Sequence, residues 1–312
     1  MHQRQFINMK KLFYLTVISI LGLTVSLHAQ TNFWKSKDAY LGQKPPGDKP
    51  EVFAENLLVQ RDTFPMDRVA FSADGKEFFY PSNTTWYNTD HAAVRYFKYE
   101  NGKWNGPFAL YPHYFAPAFS AHGNTIYLEG GKQDGKHALV WQSHRTAKGW
   151  SEPEVYLATH FSTYDFMPTA SGTSYIGSTA GQGRKDMDIC TLKIRGKDTT
   201  VKSLGPPINT TGYEGDFFVA KDESYIILSD KESKTYECEL WISFHKKDGT
   251  WTAPASLGPE INNGVAHRWG QYVSPDGKYL FYSTGHGPQD CRIVWVRFDN
   301  LLAKLKKESL KN

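Results

Sequence analysis

The sequence predicts an all-β fold, a five-bladed β-propeller of four-stranded antiparallel blades, followed by a short C-terminal helix. A turn signature of the type Phe-Ser-x-Asp-Gly occurs three times, with two degraded copies between, at intervals of about 50 residues, which indicates a radial or stacked array. Short apolar and aromatic stretches flank the turns, as expected for blade strands. Glu stands at one anchor where the other four have Gly. The anchors, which are 48, 49, 51 and 54 residues apart, are Gly75, Gly123, Gly172, Glu223 and Gly277.

The first 29 residues have the composition of a secretory signal peptide. Two lysines precede an apolar run at residues 12–27, and the small residue Ala29 follows it. The run is short for a transmembrane helix, and polar residues come directly after it. We therefore expect cleavage near Ala29, a periplasmic or secreted protein, and no membrane span after cleavage.

Charge excludes nucleic acid as a partner. The whole chain carries a net charge of +4, but residues 1–29 contain three basic residues and no acid, so the mature chain is close to +1. Residues 301–312 hold four lysines and one acid, which leaves the body slightly acidic. Nucleic-acid binding needs a concentrated basic face, and the body does not supply one.

The first repeat shows how the four strands of a blade are assigned. Residues 68–72 form a short apolar strand, and residues 77–80 form the strand that returns after the turn. Asp hydrogen-bonds its own backbone in such turns, and Gly accepts a positive φ without steric cost. After a polar loop, residues 92–99 form a longer aromatic strand, and residues 108–111 form the fourth.

Ring closure leaves a trace at the two ends of the repeat array. The fifth repeat lacks a fourth strand, and residues 50–57 resemble a fourth strand without a blade of its own. We expect this N-terminal strand to complete the last blade, which gives five blades. The alternatives are an open stack of repeats and a sixth blade that the sequence pattern does not reveal.

Two segments flank the predicted propeller at residues 50–298. Residues 30–49 form a lead segment, and residues 299–312 form a short helix in which three leucines share one face. We expect this helix to lie on the propeller.

Cys190, Cys238 and Cys291 fall in the same part of successive repeats. A disulfide needs Cα atoms within about 7 Å, and equivalent positions of neighbouring repeats are usually farther apart. We therefore interpret them as small strand residues without disulfide bonds.

The repeats resemble those of the TolB-like (WD-repeat-like) β-propeller family. The turn at Phe71–Lys76, the aromatic strands after it and the Trp-x-x-Pro pattern at Trp104–Pro107 carry the resemblance over about residues 40–305. The opening segment at residues 40–53 is similar to that of secreted members of Bacteroidetes type. The resemblance implies an exported propeller. It leaves function open, because members include interaction scaffolds and proteins of polysaccharide-use systems.

Candidate site residues follow from the repeat spacing. Propeller ligands meet a funnel at one end of the central channel, and counting back about nine residues from each turn anchor predicts where each innermost strand starts. The candidates, with a tolerance of about one residue, are Asp67, His113, Tyr114, Asp165, Glu214, Asp216, His267, Arg268 and Trp269. Paired carboxylates serve as general acid and base, and two His with carboxylates hold a divalent metal. A charged channel mouth that binds only water or a stray cation has the same composition.

Two functions remain open at this point. The first is a non-catalytic scaffold that binds a protein or a polysaccharide at the funnel, because no Gly-x-Ser-x-Gly or His-Glu-x-x-His motif is present. The alternative is a carbohydrate-active enzyme, either a glycoside hydrolase or a metal-dependent polysaccharide lyase, with its site at the same funnel. The resemblance adds that propeller enzymes of both classes place their active sites there. We expect no cofactor, apart from a divalent cation that the central channel has the ligand types to hold.

Overall fold

The computed structural model describes residues 33–86, 89–131, 138–180, 187–195, 198–210, 214–230 and 237–311. Within these residues, 22 strands form five antiparallel sheets that follow one another along the chain. Consecutive sheets contact each other through their innermost strands, which is the arrangement of blades around a propeller axis. The predicted five-bladed propeller is confirmed, and no sixth sheet occurs in the described part of the chain.

Blades one and two each contain one strand that is divided in two. In blade one the innermost strand is divided, and both pieces pair with the second strand; in blade two the outermost strand is divided. The strands of blade one are β2 (Phe64–Pro65), β3 (Ala70–Phe71), β4 (Glu77–Asn83), β5 (Ala93–Glu100) and β6 (Lys103–Pro112). Those of blade two are β7 (Tyr114–Phe119), β8 (Thr125–Gly130), β9 (Ala138–Thr146), β10 (Gly149–Trp150) and β11 (Glu154–Thr159).

Blades three and four take all four strands from consecutive sequence, whereas blade five takes three. Blade three contains β12 (Thr163–Pro168), β13 (Ser174–Ser178), β14 (Asp188–Arg195) and β15 (Asp198–Ser203). Blade four contains β16 (Phe217–Val219), β17 (Tyr225–Asp230), β18 (Glu239–Phe244) and β19 (Ala255–Ser256). Blade five contains β20 (His267–Val273), β21 (Tyr279–Gly285) and β22 (Arg292–Arg297).

The N-terminal strand β1 (Glu51–Val52) supplies the fourth strand of blade five, as predicted. It pairs antiparallel with β22, and Phe53 continues the pairing by donating from its backbone N–H to Ile293 O at 2.8 Å. The strand is shorter than predicted because Ala54 has φ +47°, which turns the chain out of the sheet and into the one-turn helix α1 (Glu55–Leu58).

The five Asp-Gly-type turns share one backbone conformation and one backbone hydrogen bond, from the anchor N–H to the carbonyl oxygen three residues earlier, and two of them add the same side-chain bond. Ser72 donates to Asp74 Oδ1 at 2.6 Å, and Ser274 donates to Asp276 Oδ1 at 2.7 Å. All five anchors have φ between +58° and +83°, including Glu223. Glu223 therefore occupies the left-handed conformation that Gly accepts more readily, which confirms that its repeat belongs to the series.

An asparagine clamps the third strand of blades three and four. Asn262 accepts a hydrogen bond from Leu240 N at 2.7 Å and donates to Leu240 O at 3.0 Å, so its side-chain amide continues the β-ladder. Asn209 makes the same pair of bonds to Ile189, both at 2.9 Å. The repeated Leu-Gly-Pro-x-Ile-Asn sequence thus positions an amide where the outermost strand ends.

The lead segment packs over the seam between blades five and one. Trp34 donates from its indole N–H to Ala73 O at 3.1 Å, and the Tyr40 hydroxyl donates to Asp276 Oδ2 at 2.6 Å. Both aromatic side chains are buried in the cluster that also contains Phe53. The segment therefore closes the ring together with β1.

The C-terminal helix α2 (Asp299–Ser309) lies on the propeller, as predicted. Leu305 is buried in the core of blades four and five, and Leu301 and Leu302 pack against the same core. Cys190, Cys238 and Cys291 are buried free thiols, which confirms the absence of disulfides among them. Within the described residues, no helix has the length and apolar character that crossing a membrane requires. The predicted signal peptide lies outside the described residues.

Candidate functional site

A β-bulge interrupts the innermost strands near the propeller axis. The ladder register shifts between Phe115 and Ala118 and at the equivalent points of β12 and β20, while blade one has a gap between β2 and β3. Asp67, Ala116, Asp165 and Gly270 adopt positive φ at these points. Bulges re-aim side chains and backbone groups, and here they direct both toward the axis.

Arg68 crosses the axis from blade one to blades two and three. Its guanidinium donates to Asp165 Oδ1 at 2.9 Å and to the backbone oxygens of Ala116 and Pro117 at 2.9 Å and 3.3 Å. Glu129 lies 3.6 Å from the same guanidinium. Arg68 is only 1% exposed, so a single side chain links three blades inside the ring.

Three carboxylates surround this guanidinium, and each also accepts a backbone N–H. Asp67 accepts from the N–H of the next residue at 2.6 Å, and Glu129 accepts from Phe166 N at 3.0 Å. Asp165 accepts from Phe217 N at 3.0 Å, which ties blade three to blade four. One guanidinium cannot neutralise three buried carboxylates. The cluster therefore favours protonation of a carboxylate.

The pKa values of two of these acids are raised. Burial, and after it repulsion from the Asp165 carboxylate, raises the pKa of Glu129 to about 8 against the opposing effect of Arg68. The same two causes, in the same order, raise the pKa of Asp67 to about 6. The carboxyl group of Glu129 is therefore substantially protonated at neutral pH.

Gln271 completes the filling of the axis from blade five. Its amide N–H₂ donates to Ser229 Oγ at 2.6 Å and to Asp216 O at 3.2 Å, both in blade four. The side chain is fully buried. We call the group that fills the channel the axial plug; its members are Asp67, Arg68, Glu129, Asp165 and Gln271.

A cavity of about 940 Å³ opens on the side of the plug where the Asp-Gly turns lie. Arg68 forms part of its floor, and the ends of the innermost strands form its wall. The wall is mainly apolar and includes Trp34, Phe119, Met167, Phe218, Tyr272 and Leu302. We call this cavity the bowl. It lies at the opposite end of the innermost strands from the funnel predicted by sequence, because those strands run from the predicted residues toward the turns.

The rim of the bowl is basic. Its charged side chains are Lys35, Lys221, Lys278, Lys306, Asp222 and Asp276. Asp276 is already engaged, because it accepts from Tyr40 and Ser274 and lies 3.4 Å from Lys278 Nζ. Burial lowers the pKa of Lys221, whose Nζ lies 3.5 Å from Ser120 O.

Asp67, Asp165, Glu214 and Arg268, four of the predicted charged residues, do not form one open site. Asp67 and Asp165 belong to the axial plug. Glu214 instead accepts from the backbone N–H and hydroxyl of Thr210, at 2.6 Å and 2.7 Å. Arg268 points away from the axis and donates to carbonyls of the loop between β19 and β20 and to Cys238 O at 2.7 Å. Counting back about nine residues from each turn selected the bulge residue in some blades, as for Asp67 and Asp165. In other blades it selected the residue two positions before the bulge, as for Glu214 and Arg268. The prediction that all four side chains meet at one site is therefore wrong for Glu214 and Arg268.

His113 and Tyr114 lie where the innermost strand of blade two starts. His113 is exposed, and its Nδ1 lies 2.7 Å from Asp90 O. Tyr114 is half-buried and packs edge-on against Trp141 with ring centroids 5.5 Å apart. His113 thus contacts the loop between β4 and β5, and Tyr114 contacts strand β9.

His267 and Trp269 stack on each other with centroids 4.2 Å apart, since side chains two residues apart on a strand share a face. Trp269, a predicted funnel residue, is buried against Trp86, with ring centroids 5.5 Å apart, so its ring is not accessible to a ligand. Burial lowers the pKa of His267 to about 4, so its imidazole is neutral at physiological pH. Asp216 is half-buried beside the plug, where its charge acts on Arg68.

No group of three or more His, Cys, Asp and Glu side chains in the described ranges is arranged to hold a metal. The two predicted histidines stand in blades two and five and make the separate contacts described above. A divalent cation at the channel therefore stays a prediction.

Sequence reasoning missed Arg68, Glu129 and Gln271. Arg68 and Gln271 each lie within two residues of a candidate, and a tighter count from the turn would have included them. Glu129 lies on β8, which a count along the innermost strands does not sample. The available signal is that Glu129 ends the apolar stretch Ile126–Leu128, where a charge has to be paired.

No protein-family model and no curated protein matches the chain. Solved structures with a similar arrangement include a structure from a study of two prolyl endopeptidases. It matches with 13% identity and a TM-score of 0.45, over 82% of this chain and 42% of that one. TolB from Acinetobacter baumannii matches with 14% identity and a TM-score of 0.43, over 73% of this chain and 54% of that one. The apo prolyl oligopeptidase B from Galerina marginata matches with 12% identity and a TM-score of 0.41, over 76% and 40%.

The chain spans between 40% and 54% of the length of these three structures. At such identities and scores, the similarities add no conclusion about activity, and the fold rests on the blade topology.

Proposed function

We propose that the chain is a non-catalytic, protein-binding β-propeller scaffold of the periplasm or cell exterior, and that the bowl is its docking site. The observation that carries the proposal is the bowl itself, a central concave cavity of about 940 Å³ with an apolar wall. Concave, largely apolar and preformed cavities are the usual places for binding.

The state of the acidic residues supports a role without catalysis. Asp67, Glu129 and Asp165 are each at most 8% exposed, and all three accept backbone N–H groups. A general acid or base has to come within hydrogen-bond reach of the substrate proton. These carboxylates instead join blades to one another beneath the bowl.

The chemistry of the wall favours a protein segment over a polysaccharide. Phe119, Met167 and Phe218 present hydrocarbon, whereas a sugar needs many hydrogen-bonding partners for its hydroxyls. Burial of a peptide's apolar side chains in such a cavity is favourable. The bowl therefore suits one or two anchor side chains of a partner.

A display selection tests the proposal. Random 12-residue peptides on phage are panned against the mature protein, and enriched clones are measured against Ala121→Trp, which fills the bowl, and against His122→Trp. His122 is the exposed neighbour of Ala121 and does not line the bowl. We expect enriched peptides to lose binding to Ala121→Trp alone.

The selection also has outcomes that oppose the proposal. If no peptide is enriched, or if enriched peptides bind both variants equally, the bowl is not a protein-docking site. Release of reducing ends from a polysaccharide panel by the wild-type protein would support the carbohydrate-active alternative.

A further inference from the structure

Four lysines from separate parts of the chain meet at the rim of the bowl. Lys35 comes from the lead segment, Lys221 from the first turn of blade four, Lys278 from that of blade five, and Lys306 from α2. The fold thus concentrates positive charge on one face of a mature chain whose net charge is close to +1.

Most of this charge has no counterion among the residues that the structure describes. Arg68 in the floor is paired with Asp165, and Lys278 lies beside Asp276. In contrast, no carboxylate lies within ion-pair distance of Lys35, Lys221 or Lys306 in the described part of the chain. A cation held at an apolar wall gains from an anion that a ligand brings.

The outer face of α2 extends the basic rim. Lys304, Lys307 and Lys311, with the single acid Glu308, line a second groove of about 420 Å³ on this face. Lysines three and four residues apart on a helix repel each other. The helix dipole favours cations in the last turn, but it does not account for Lys35 or Lys221, which belong to other elements.

The shape of this face argues against a membrane as its partner. The leucines of α2 are packed on the propeller, so the helix has no apolar face to insert into lipid. The apolar groups of the bowl are recessed below the lysines, where a chain segment reaches them and a flat bilayer does not.

We propose that the partner of the bowl is an acidic protein segment, whose apolar side chains enter the cavity while its carboxylates pair with Lys35, Lys221 and Lys306. This inference rests on the proposed function. It adds that the partner is acidic and that Lys35, Lys221 and Lys306 recognise its charge.

The test uses the peptides enriched by phage display and two triple variants. In the first, Lys35, Lys221 and Lys306 are each replaced by Glu. In the control, the exposed strand lysines Lys103, Lys193 and Lys202 are replaced in the same way, so the net charge changes equally. Peptide affinity is measured by fluorescence anisotropy at low and at high NaCl concentration.

We expect the enriched peptides to combine Asp or Glu with aromatic or aliphatic residues. The rim variant should bind them about tenfold more weakly, because three partly exposed ion pairs are lost, while the control keeps wild-type affinity. Binding should also weaken as salt rises, since the Debye length falls below about 10 Å above 0.1 M.

Other results overturn the inference. Enriched peptides without acidic bias, or equal affinity of the two triple variants, would leave a docking site that does not read charge, and the proposed function would survive. If no peptide is enriched and the protein instead binds phosphatidylserine vesicles or polygalacturonate through the same lysines, both proposals are wrong.

Discussion

At the scale of single residues, Arg68 has the most consequential position. It satisfies two carbonyls of blade two and a carboxylate of blade three while it belongs to blade one. Breaking a buried ion pair from one side leaves an uncompensated charge, whereas replacing a whole pair with apolar groups is often tolerated. The loss of Arg68 is therefore worse for the fold than the loss of an ordinary core residue of similar size.

We predict that Arg68→Met lowers the free energy of unfolding by about 3–5 kcal/mol at pH 7. Asp165 loses its cation, and the oxygens of Ala116 and Pro117 lose their donor. Urea unfolding followed by tryptophan fluorescence measures the change. Lys193→Met, on the exposed part of β14, is the control and should cost less than about 0.5 kcal/mol. Equal stability of the two variants would mean that the axial plug is not a stabilising network.

The raised pKa values of Glu129 and Asp67 predict how stability depends on pH. The folded state binds protons more tightly than the unfolded state, in which these acids titrate near pH 4–4.5. Their contribution is thus fully present below about pH 4 and is lost as the pH rises through about 6 for Asp67 and about 8 for Glu129. Urea midpoints measured from pH 5 to about pH 9 should fall over this range.

Glu129→Gln isolates this effect, because Gln keeps an acceptor for Phe166 N and carries no charge. The variant should lose most of the decline between pH 7 and 9, and it should be more stable than wild type at the upper end. Glu154→Gln, an exposed substitution in blade two, is the matched control and should keep the wild-type slope. If Glu129→Gln keeps the wild-type slope, groups other than Glu129 cause the pH dependence of stability.

At the scale of elements, the asparagine clamps show how a loop is fixed to a blade. Asn262 uses both ends of its amide on the backbone of Leu240, and its N–H₂ also donates to Ser256 Oγ at 2.9 Å. The clamp is the point from which the loop with Asn263 and Gly264 reaches the guanidinium of Arg268.

We predict that Asn262→Ala lowers the free energy of unfolding by about 2 kcal/mol, because the N–H and C=O of Leu240 both lose a partner. Asn263→Ala is the control, since that side chain is exposed and only the backbone oxygen of Asn263 is used. Thermal unfolding compares the two. A smaller loss in Asn262→Ala than in Asn263→Ala would show that water replaces the clamp without cost.

At the scale of the whole molecule, stability depends on the seam where the ring closes. Phe53 is 1% exposed and packs on Phe281 and Trp295 of blade five and on Phe71 and Phe78 of blade one. It follows directly after β1, so one side chain fixes both the closing strand and the contact between the first and last blades.

We predict that Phe53→Ala costs about 3–5 kcal/mol and opens the seam before the remaining blades. Amide hydrogen exchange should increase first in β22 and β4 and last in β13. Phe108→Ala, at a position that is 44% exposed, should leave the exchange pattern unchanged. Uniform acceleration across all blades would show that the ring unfolds as a single unit.

The sequence was sufficient for the architecture, because repeat spacing and turn chemistry are local signals. The anchors from Gly75 to Gly277, the closing strand before Phe53 and the apolar face of α2 are all where the pattern predicted them. Local signals also suffice to predict the turn at Glu223. The residues around Glu223 match the turn pattern, although Glu223 itself replaces the usual Gly.

The site was less predictable, because it depends on where side chains from distant residues meet. The bulge at Asp165 shifts the register of the strand, and this shift depends on local backbone conformation. A fixed count from the turn therefore treated Arg268 and Asp165 as equivalent positions of their blades, although they are not. The bowl is walled in part by Trp34 and Leu302, which lie outside the repeats. A method based on repeat equivalence cannot place residues that belong to no repeat.

The buried crossing of Arg68 has a consequence for exchange of ligands. Arg68 and Gln271 are at most 1% exposed, so in the described part of the chain buried side chains fill the axis between the bowl and the face that carries His113 and His267. A segment docked in the bowl would enter and leave by the same open face, past the lysines of the rim.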